Sequence, residues 1–324
     1  MEIFKYNQPV IGFMANAKKF AMLSLTLIVF SLGLLLVKGL NYGIDFSGGT
    51  VIQIKYEGDA PIQKVRDILH KHENYKNANV TYFGSKQEIA IRTKTTSKNV
   101  NVDISDQIRT LLKDTGKFEI RSVDMVGPSV GNELREKGLM AMILSILGIL
   151  AYISFRFEWR FALASVMALV HDVTISLGAL ALLQIDVNLP ILAAILTILG
   201  YSLNDTVIVF DRIREGIRNS KSTNLADVID ESVTRTLSRT TLTSLTTFFV
   251  VLTLYLFGGE LLKGFSFTLL VGVVVGTYSS IFVASPILMW LKFSIKEFRA
   301  KEAEKLKREK EKEKMRAMYE QGTI

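Results

Sequence analysis

The run LPILAAILTILGYSLNDTVIVF, residues 189–210, is the stretch on which the fold turns. As an α-helix it would reach about 33 Å at 1.5 Å per residue, enough to cross a hydrocarbon core about 30 Å thick. Asn204 and Asp205 interrupt it near its C-terminal end. A run of this kind belongs either to a membrane span with a carboxyl group in it or to a core helix of a large soluble α/β protein. With 324 residues and 49% hydrophobic composition the chain allows both, so the placement of its other apolar residues decides.

Uncharged runs of span length occur at 20–37, 138–155, 240–259 and 264–291. A further run at 161–185 has the same length and is interrupted by His171 and Asp172. With 189–210 this makes six spans, and the chain reads as an α-helical integral membrane protein. The first run is longer than the apolar core of a removable signal peptide and no A-x-A-like site follows it, so it is expected to stay as an anchor.

The formal net charge of +8 would suggest nucleic acid in a soluble protein. Here the cations lie beside the membrane: Lys18 and Lys19 before the first span, Arg156 and Arg160 between the second and third, and Arg212, Arg214, Arg218, Lys221 and Arg235 between the fourth and fifth. The alternate connections are poor in them, with none at 184–188 and Lys263 alone near Glu260. By the positive-inside rule both termini are expected in the cytoplasm, and the basic residues are expected to meet membrane lipid rather than nucleic acid. The absence of cysteine excludes disulfides and thiolate chemistry. His70 and His72, two residues apart in a helical pattern, point to different faces and make no shared metal site.

Four segments follow: 1–40 with the first span, a polar insertion at 41–137, spans two to six at 138–291, and a charged tail at 292–324. The insertion is long enough to fold by itself. Strand-like alternation at 51–56, helical spacing over 61–73, two short strands at 79–83 and 88–92 split by Gly84-Ser85, a helix at about 102–113 and a strand at 118–126 give the order β-α-β-β-α-β. That is the order of a ferredoxin-like α+β domain, expected here on the external side. After the fourth span, Leu225, Val228, Ile229 and Val233 mark one face of an amphipathic helix at about 223–237, capped by Thr223, Asn224 or Asp227 and expected to lie along the cytoplasmic surface. The Lys- and Glu-rich tail reads as a solvated helix, with contact to a ribosome or anionic lipid as a second reading.

An ionisable residue inside a span costs a few kcal/mol and is a functional candidate by default. Asp205 lies about 8 Å from the cytoplasmic edge of the fourth run. Arg239, at the start of the fifth, has a side chain long enough to reach it. The cation favours a charged Asp205 and burial favours a neutral one, so the pair reads either as a proton switch or as a static bridge between two spans. His171 and Asp172, near the middle of the third span, either extend a hydrated relay or make fixed interhelical hydrogen bonds. Asn204 is a packing or hydrogen-bonding residue. Gly272 and Gly276 form a G-x-x-x-G step, and Gly200 and Ser202 keep the fourth helix slim before Asp205.

These residues resemble the SecD/SecF family of membrane proteins, and within it the SecF side. Gly43-Ile44-Asp45-Phe46-Ser47-Gly48-Gly49-Thr50 is similar to the signature after the first span. Val126-Gly127-Pro128-Ser129-Val130-Gly131 is similar to the lead into the second. Gly200-Tyr201-Ser202-Leu203-Asn204-Asp205-Thr206 with Asp211-Arg212-Ile213-Arg214-Glu215 is similar to the fourth-span signature, and Thr236-Leu237-Ser238-Arg239-Thr240 to the fifth-span entry. The resemblance implies an RND-like half-bundle in the bacterial inner membrane that joins a six-span SecD partner, the Sec channel and its accessory membrane subunits. It implies proton-driven help to a translocating polypeptide, with Asp205 and Arg239 in proton coupling and no bound cofactor.

Three other readings stand beside it. An intramembrane aspartyl protease would use Asp172 and Asp205, but its Gly-x-Gly-Asp signature is replaced by Ser202-Leu203-Asn204-Asp205, and no other catalytic motif is present, so no enzyme is expected. A homo-oligomeric exporter would need two copies of the half-bundle, and a structural scaffold would need no titrating residue. Sodium could replace the proton, since carboxylates serve both ions; no oxygen-rich cage is apparent.

Overall fold

The computed structural model describes residues 9–94, 104–220 and 222–320. Six helices are long and apolar enough to cross a membrane, and a small antiparallel sheet domain is inserted between the first two. The first span is α1 (Ala17–Val37). A single turn, α2 (Ile44–Ser47), leads into β1 (Gly49–Tyr56), α3 (Ile62–His70), β2 (Asn79–Phe83), β3 (Ser85–Thr93), α4 (Ile104–Leu112) and β4 (Phe118–Val126). The sheet order β2-β3-β1-β4, with every neighbouring pair antiparallel, is that of the expected ferredoxin-like domain. Alternation in β1 points Ile52, Ile54 and Tyr56 onto Val65, Leu69, Ile108 and Leu112 of the two helices, which form the domain's core. The part of the expected second helix at 102–103 lies outside the described residues.

The remaining spans are α5 (Pro128–Arg156), α6 (Trp159–Leu183), α7 (Leu189–Asn219), α8 (Leu225–Phe257) and a broken sixth made of α9 (Glu260–Ser279), a π-helical turn (Ser280–Ala284) and α10 (Ser285–Trp290). The break has a local cause. Pro286 has no N–H to give to the carbonyl one turn back, and Ser285 Oγ instead donates to the Ser280 carbonyl at 3.0 Å.

Two expectations are corrected here. The amphipathic segment at about 223–237 is not a separate surface helix but the first part of α8, continuous with the fifth span. Its apolar face, Val228, Ile229 and Val233, is buried against Ile213 and Ile217 of α7, which runs well beyond the apolar stretch that ends at Phe210. The tail is also not wholly free. It is helical as α11 (Ile295–Glu320), but Phe293, Ile295 and Phe298 are buried in the bundle. Arg299 donates to the carbonyls of Ile217 (2.7 Å), Ser220 (2.6 Å) and Ser222 (3.2 Å), satisfying the C-terminal end of α7, and Arg218 pairs with Glu302.

The sheet domain is lashed to the bundle by the segment 41–49. Gly43 N–H donates to the Val187 carbonyl at 2.8 Å, Val187 N–H to the Asn41 carbonyl at 2.7 Å, and Leu189 N–H to Asp45 Oδ2 at 2.9 Å. The α6–α7 turn is thereby held by the chain that enters the domain. From the domain side Arg92 of β3 and Asn41 both reach Asp186 in that turn. Glycine is required at Gly48, where φ is +68° and a Cβ would sit 2.8 Å from Pro128 Cα at the start of α5.

Candidate functional site

Asp172 is fully buried at 0% exposure and Asp205 at 1%, on the adjacent helices α6 and α7. Counting from the sheet-domain end at 1.5 Å per residue, Asp172 lies about 17 Å and Asp205 about 24 Å into the bundle. Asp172 Oδ2 accepts from Ser202 Oγ of α7 at 2.6 Å and from Ser279 Oγ of α9 at 2.8 Å, and its Oδ1 lies 2.8 Å from His171 Nδ1. Asp205 Oδ2 accepts from Ser244 Oγ of α8 at 3.3 Å, and Ser244 Oγ accepts from Thr277 Oγ1 of α9 at 2.7 Å. Ser202 and Asp205 are one turn apart on α7, and Thr277 and Ser279 two residues apart on α9. The two carboxylates therefore belong to one polar layer through α6, α7, α8 and α9.

His171 is 2% exposed, its ring is stacked on Tyr278 with centroids 6.0 Å apart, and its Nε2 is buried with no partner among the described residues. With one ring nitrogen at Asp172 and the other uncommitted, His171 can hold a proton at either nitrogen.

Arg239 is placed differently from the contact partner of Asp205 that its position suggests. It is exposed, near enough for its charge to act on Asp205, but the two make no contact ion pair. The reason is helical phase. Ser244 faces Asp205 from α8, Thr240 sits one turn before it on the same buried face, and Arg239, five residues before Ser244, is turned about 140° away. Neither carboxylate has a lysine or arginine in contact among the described residues.

The G-x-x-x-G step makes the polar layer possible. A Cβ on Gly272 would run into the Ile198 side chain, and one on Gly276 would lie 3.1 Å from Ser202 Cβ. These glycines let α9 close on α7 and carry Thr277 and Ser279 to the carboxylates. Ser202, read as a small packing residue, is a direct partner of Asp172. Gly200 and Asn204 face outward instead, with Ala193 and Thr197, as a small and polar stripe on α7; on α8 Arg239, Thr243 and Thr246 are exposed together with Leu245 and Phe249. Ser244, Thr277 and Ser279 had no distinguishing sequence signal, because hydroxyl residues are scattered through α8 and α9.

The model of the protein export membrane protein SecD/SecF C-terminal family matches residues 107–294, and the SecD/SecF GG motif matches residues 33–60. This chain belongs to the SecD/SecF family. The protein translocase subunit SecF of Helicobacter pylori strain J99 is 47% identical over 324 residues, covering 100% of both chains. That of Calditerrivibrio nitroreducens is 46% identical over 90% of this chain and 97% of its own. The crystal structure of SecDF from Thermus thermophilus, a translocon-associated membrane protein, superposes with a TM-score of 0.82 at 35% identity over 89% of this chain. The chain spans 40% of the length of that SecDF chain. In this SecD/SecF family member the stretch matched by the GG motif contains the splice of segment 41–49, which ties the α6–α7 turn, the sheet and the start of α5 together.

Proposed function

We propose that this chain is the SecF-type half of a two-part export assembly in the bacterial inner membrane, and that protons passing through its buried polar layer move the sheet domain to assist a polypeptide leaving the Sec channel. The basic connections Arg156–Arg160 and Arg212–Arg218 then face the cytoplasm and the sheet domain faces outward. The partner half, a SecD-type chain, lies against the small and polar stripe of α7, a surface that lipid would cover poorly. Arg239, turned toward that stripe, is then shared between the halves.

The observation that carries the reading is the pair of buried carboxylates on neighbouring spans, bonded to hydroxyls and a histidine and, among the described residues, to no lysine or arginine. A charge at this depth costs a few kcal/mol, so a purely structural bundle has little reason to keep two. Protonation also has a mechanical consequence. Ionised, Asp172 Oδ2 accepts from Ser202 and Ser279 together. A proton on that oxygen makes it a donor to one of the two serines, whose own hydroxyl hydrogen then turns to another acceptor, as that of Ser279 can to the Gly276 carbonyl at 3.1 Å, so the bonds joining α6 to α7 and α9 rearrange. His171, with its free Nε2, is placed to hand the proton on. One charge moved across 100 mV makes about 2.3 kcal/mol available, comparable to the loss or gain of one or two such hydrogen bonds.

The test is release of a secreted substrate from membrane vesicles holding the channel and both halves, with and without a proton gradient. Wild type is expected to be stimulated by the gradient, and Asp205→Asn and Asp172→Asn are expected to keep the basal rate and lose the stimulation. Full stimulation in both variants contradicts the reading. Substituting a sodium gradient distinguishes the ion.

A further inference from the structure

The sheet domain meets the bundle at two places. One is the splice described above; the other is the β2–β3 turn, where Gly84 rests on the Glu260 side chain at the start of α9. Between them is a cavity of about 700 Å³, within the usual range for ligand sites. One wall is β2, the second is the α6–α7 turn, and the third is the end of α8 with the start of α9.

We infer that this cleft binds a short, uncharged stretch of extended polypeptide. Its charges are already balanced: Arg92 pairs with Asp186, and Lys263 Nζ lies 2.7 Å from Glu260 Oε1. No cation is left for a lipid phosphate and no carboxylate for a basic ligand. Two amide side chains in the α6–α7 turn are half used. Asn188 Oδ1 accepts from Ile191 N–H at 3.1 Å and Gln184 Nε2 donates to the Ala181 carbonyl at 2.7 Å. The Asn188 NH2 and the Gln184 side-chain carbonyl remain, one donor and one acceptor, the complement of a peptide group.

The opposite wall is an open sheet edge. β2 pairs with β3 alone; Arg66 occupies the Val80 carbonyl, and Asn79 on one side of it and Thr81, Tyr82 and Phe83 on the other line the cleft. An extended segment adding to such an edge gains main-chain hydrogen bonds whatever its sequence. Tyr82, 52% exposed, and Tyr255 offer aromatic faces that accept varied side chains. The inference rests on the export reading above and adds a place of contact. Because the wall at Gln184–Asn188 joins the helices that carry Asp172 and Asp205, the cleft changes shape whenever those helices shift.

The chain has no cysteine, so Tyr82→Cys and Tyr255→Cys can each carry a single benzophenone label in the otherwise intact assembly. Asp106→Cys on the exposed side of α4 serves as control. The probe is a secretory polypeptide arrested in mid-export with an uncharged stretch outside the channel. Both labelled positions are expected to cross-link to it several-fold more than the control. The yield should fall when the stretch is replaced by alternating Lys and Glu, and again in Gln184→Ala with Asn188→Ala. Cross-links to lipid or to the partner half alone, or yields equal to the control, overturn the inference. Its fate is separable from that of proton coupling. Cross-linking that persists when Asp205→Asn retains full gradient stimulation upholds the cleft and refutes the coupling, and normal stimulation without cross-linking refutes the cleft alone.

Discussion

One oxygen atom, Oδ2 of Asp172, accepts hydrogen bonds from two different helices, and this makes single hydroxyls matter. Ser279→Ala or Ser202→Ala is expected to cost about 1–2 kcal/mol, the upper part of the range for interhelical hydrogen bonds in membranes. Unfolding in detergent measures this, and the double variant should depart from the sum of the singles because both serines share one acceptor. Outside the spans, Asp186 has its proton affinity raised, by burial first, against the opposing effects of Arg92 and Asn41. Unfolded, it ionises near its ordinary value of 3.8; folded, it ionises higher. Between the two the folded chain holds more protons, so the stability due to Asp186 is present below 3.8 and is lost as pH rises through the folded value. The Tm difference, wild type minus Asp186→Asn, should therefore fall as pH rises across that window; a difference that grows contradicts the assignment. Asp172 and Asp205 were legible from sequence because charged residues stand out in apolar runs. Their partners were not. Thr246 and Thr253 bond back to their own helix while Ser244 reaches across, and only the crossing of α8 over α7 tells them apart. The facing of Arg239 was not legible for the same reason: chain position does not say toward which neighbour a face is turned.

At the scale of elements, the apolar runs located all six spans but none of the extensions. Helix α5 starts at Pro128, ten residues before the uncharged run, and Glu133 with Lys137 pairs one turn apart along that charged stretch. Helices α7 and α8 outrun their spans because Ile213, Ile217, Val228, Ile229 and Val233 bury one another beyond the membrane-length segments. The alternation of β1 and the turn at Gly84-Ser85 made the ferredoxin-like order readable. Its attachment to the bundle through Asp186 was not, since a lone aspartate in a short loop carries no signal. The α7–α9 contact gives a sharp prediction. Gly272→Ala drives a methyl group into Ile198 and should destabilise by about 1–3 kcal/mol, as overpacking does. Adding Ile198→Ala should return part of that loss in the same unfolding measurement. If the two variants are simply additive, the contact is not the cause.

For the whole molecule, the half-bundle presents a small and polar stripe on α7, with Arg239, Thr243 and Thr246 exposed on α8 beside Leu245, Phe249 and Val250, whereas α6 exposes Leu163, Met167 and Val170 as a lipid-facing helix does. A cysteine at Asn204 or Thr243 should cross-link to a SecD-type partner in native membranes; labelling by a lipid-borne reagent to the same extent as Met167→Cys would place lipid there instead. Taken together, α6 and α7 hold the buried carboxylates inside the bundle and end in the turn that grips the sheet domain, so a change of packing at Asp172 and Asp205 has a direct route to that domain. The most direct test is the distance between spin labels at Asp106→Cys on the domain and Leu261→Cys on α9, in liposomes containing both halves. Imposing a proton gradient should shift that distance in wild type and leave it unmoved in Asp205→Asn; a shift of equal size in the variant would contradict the account.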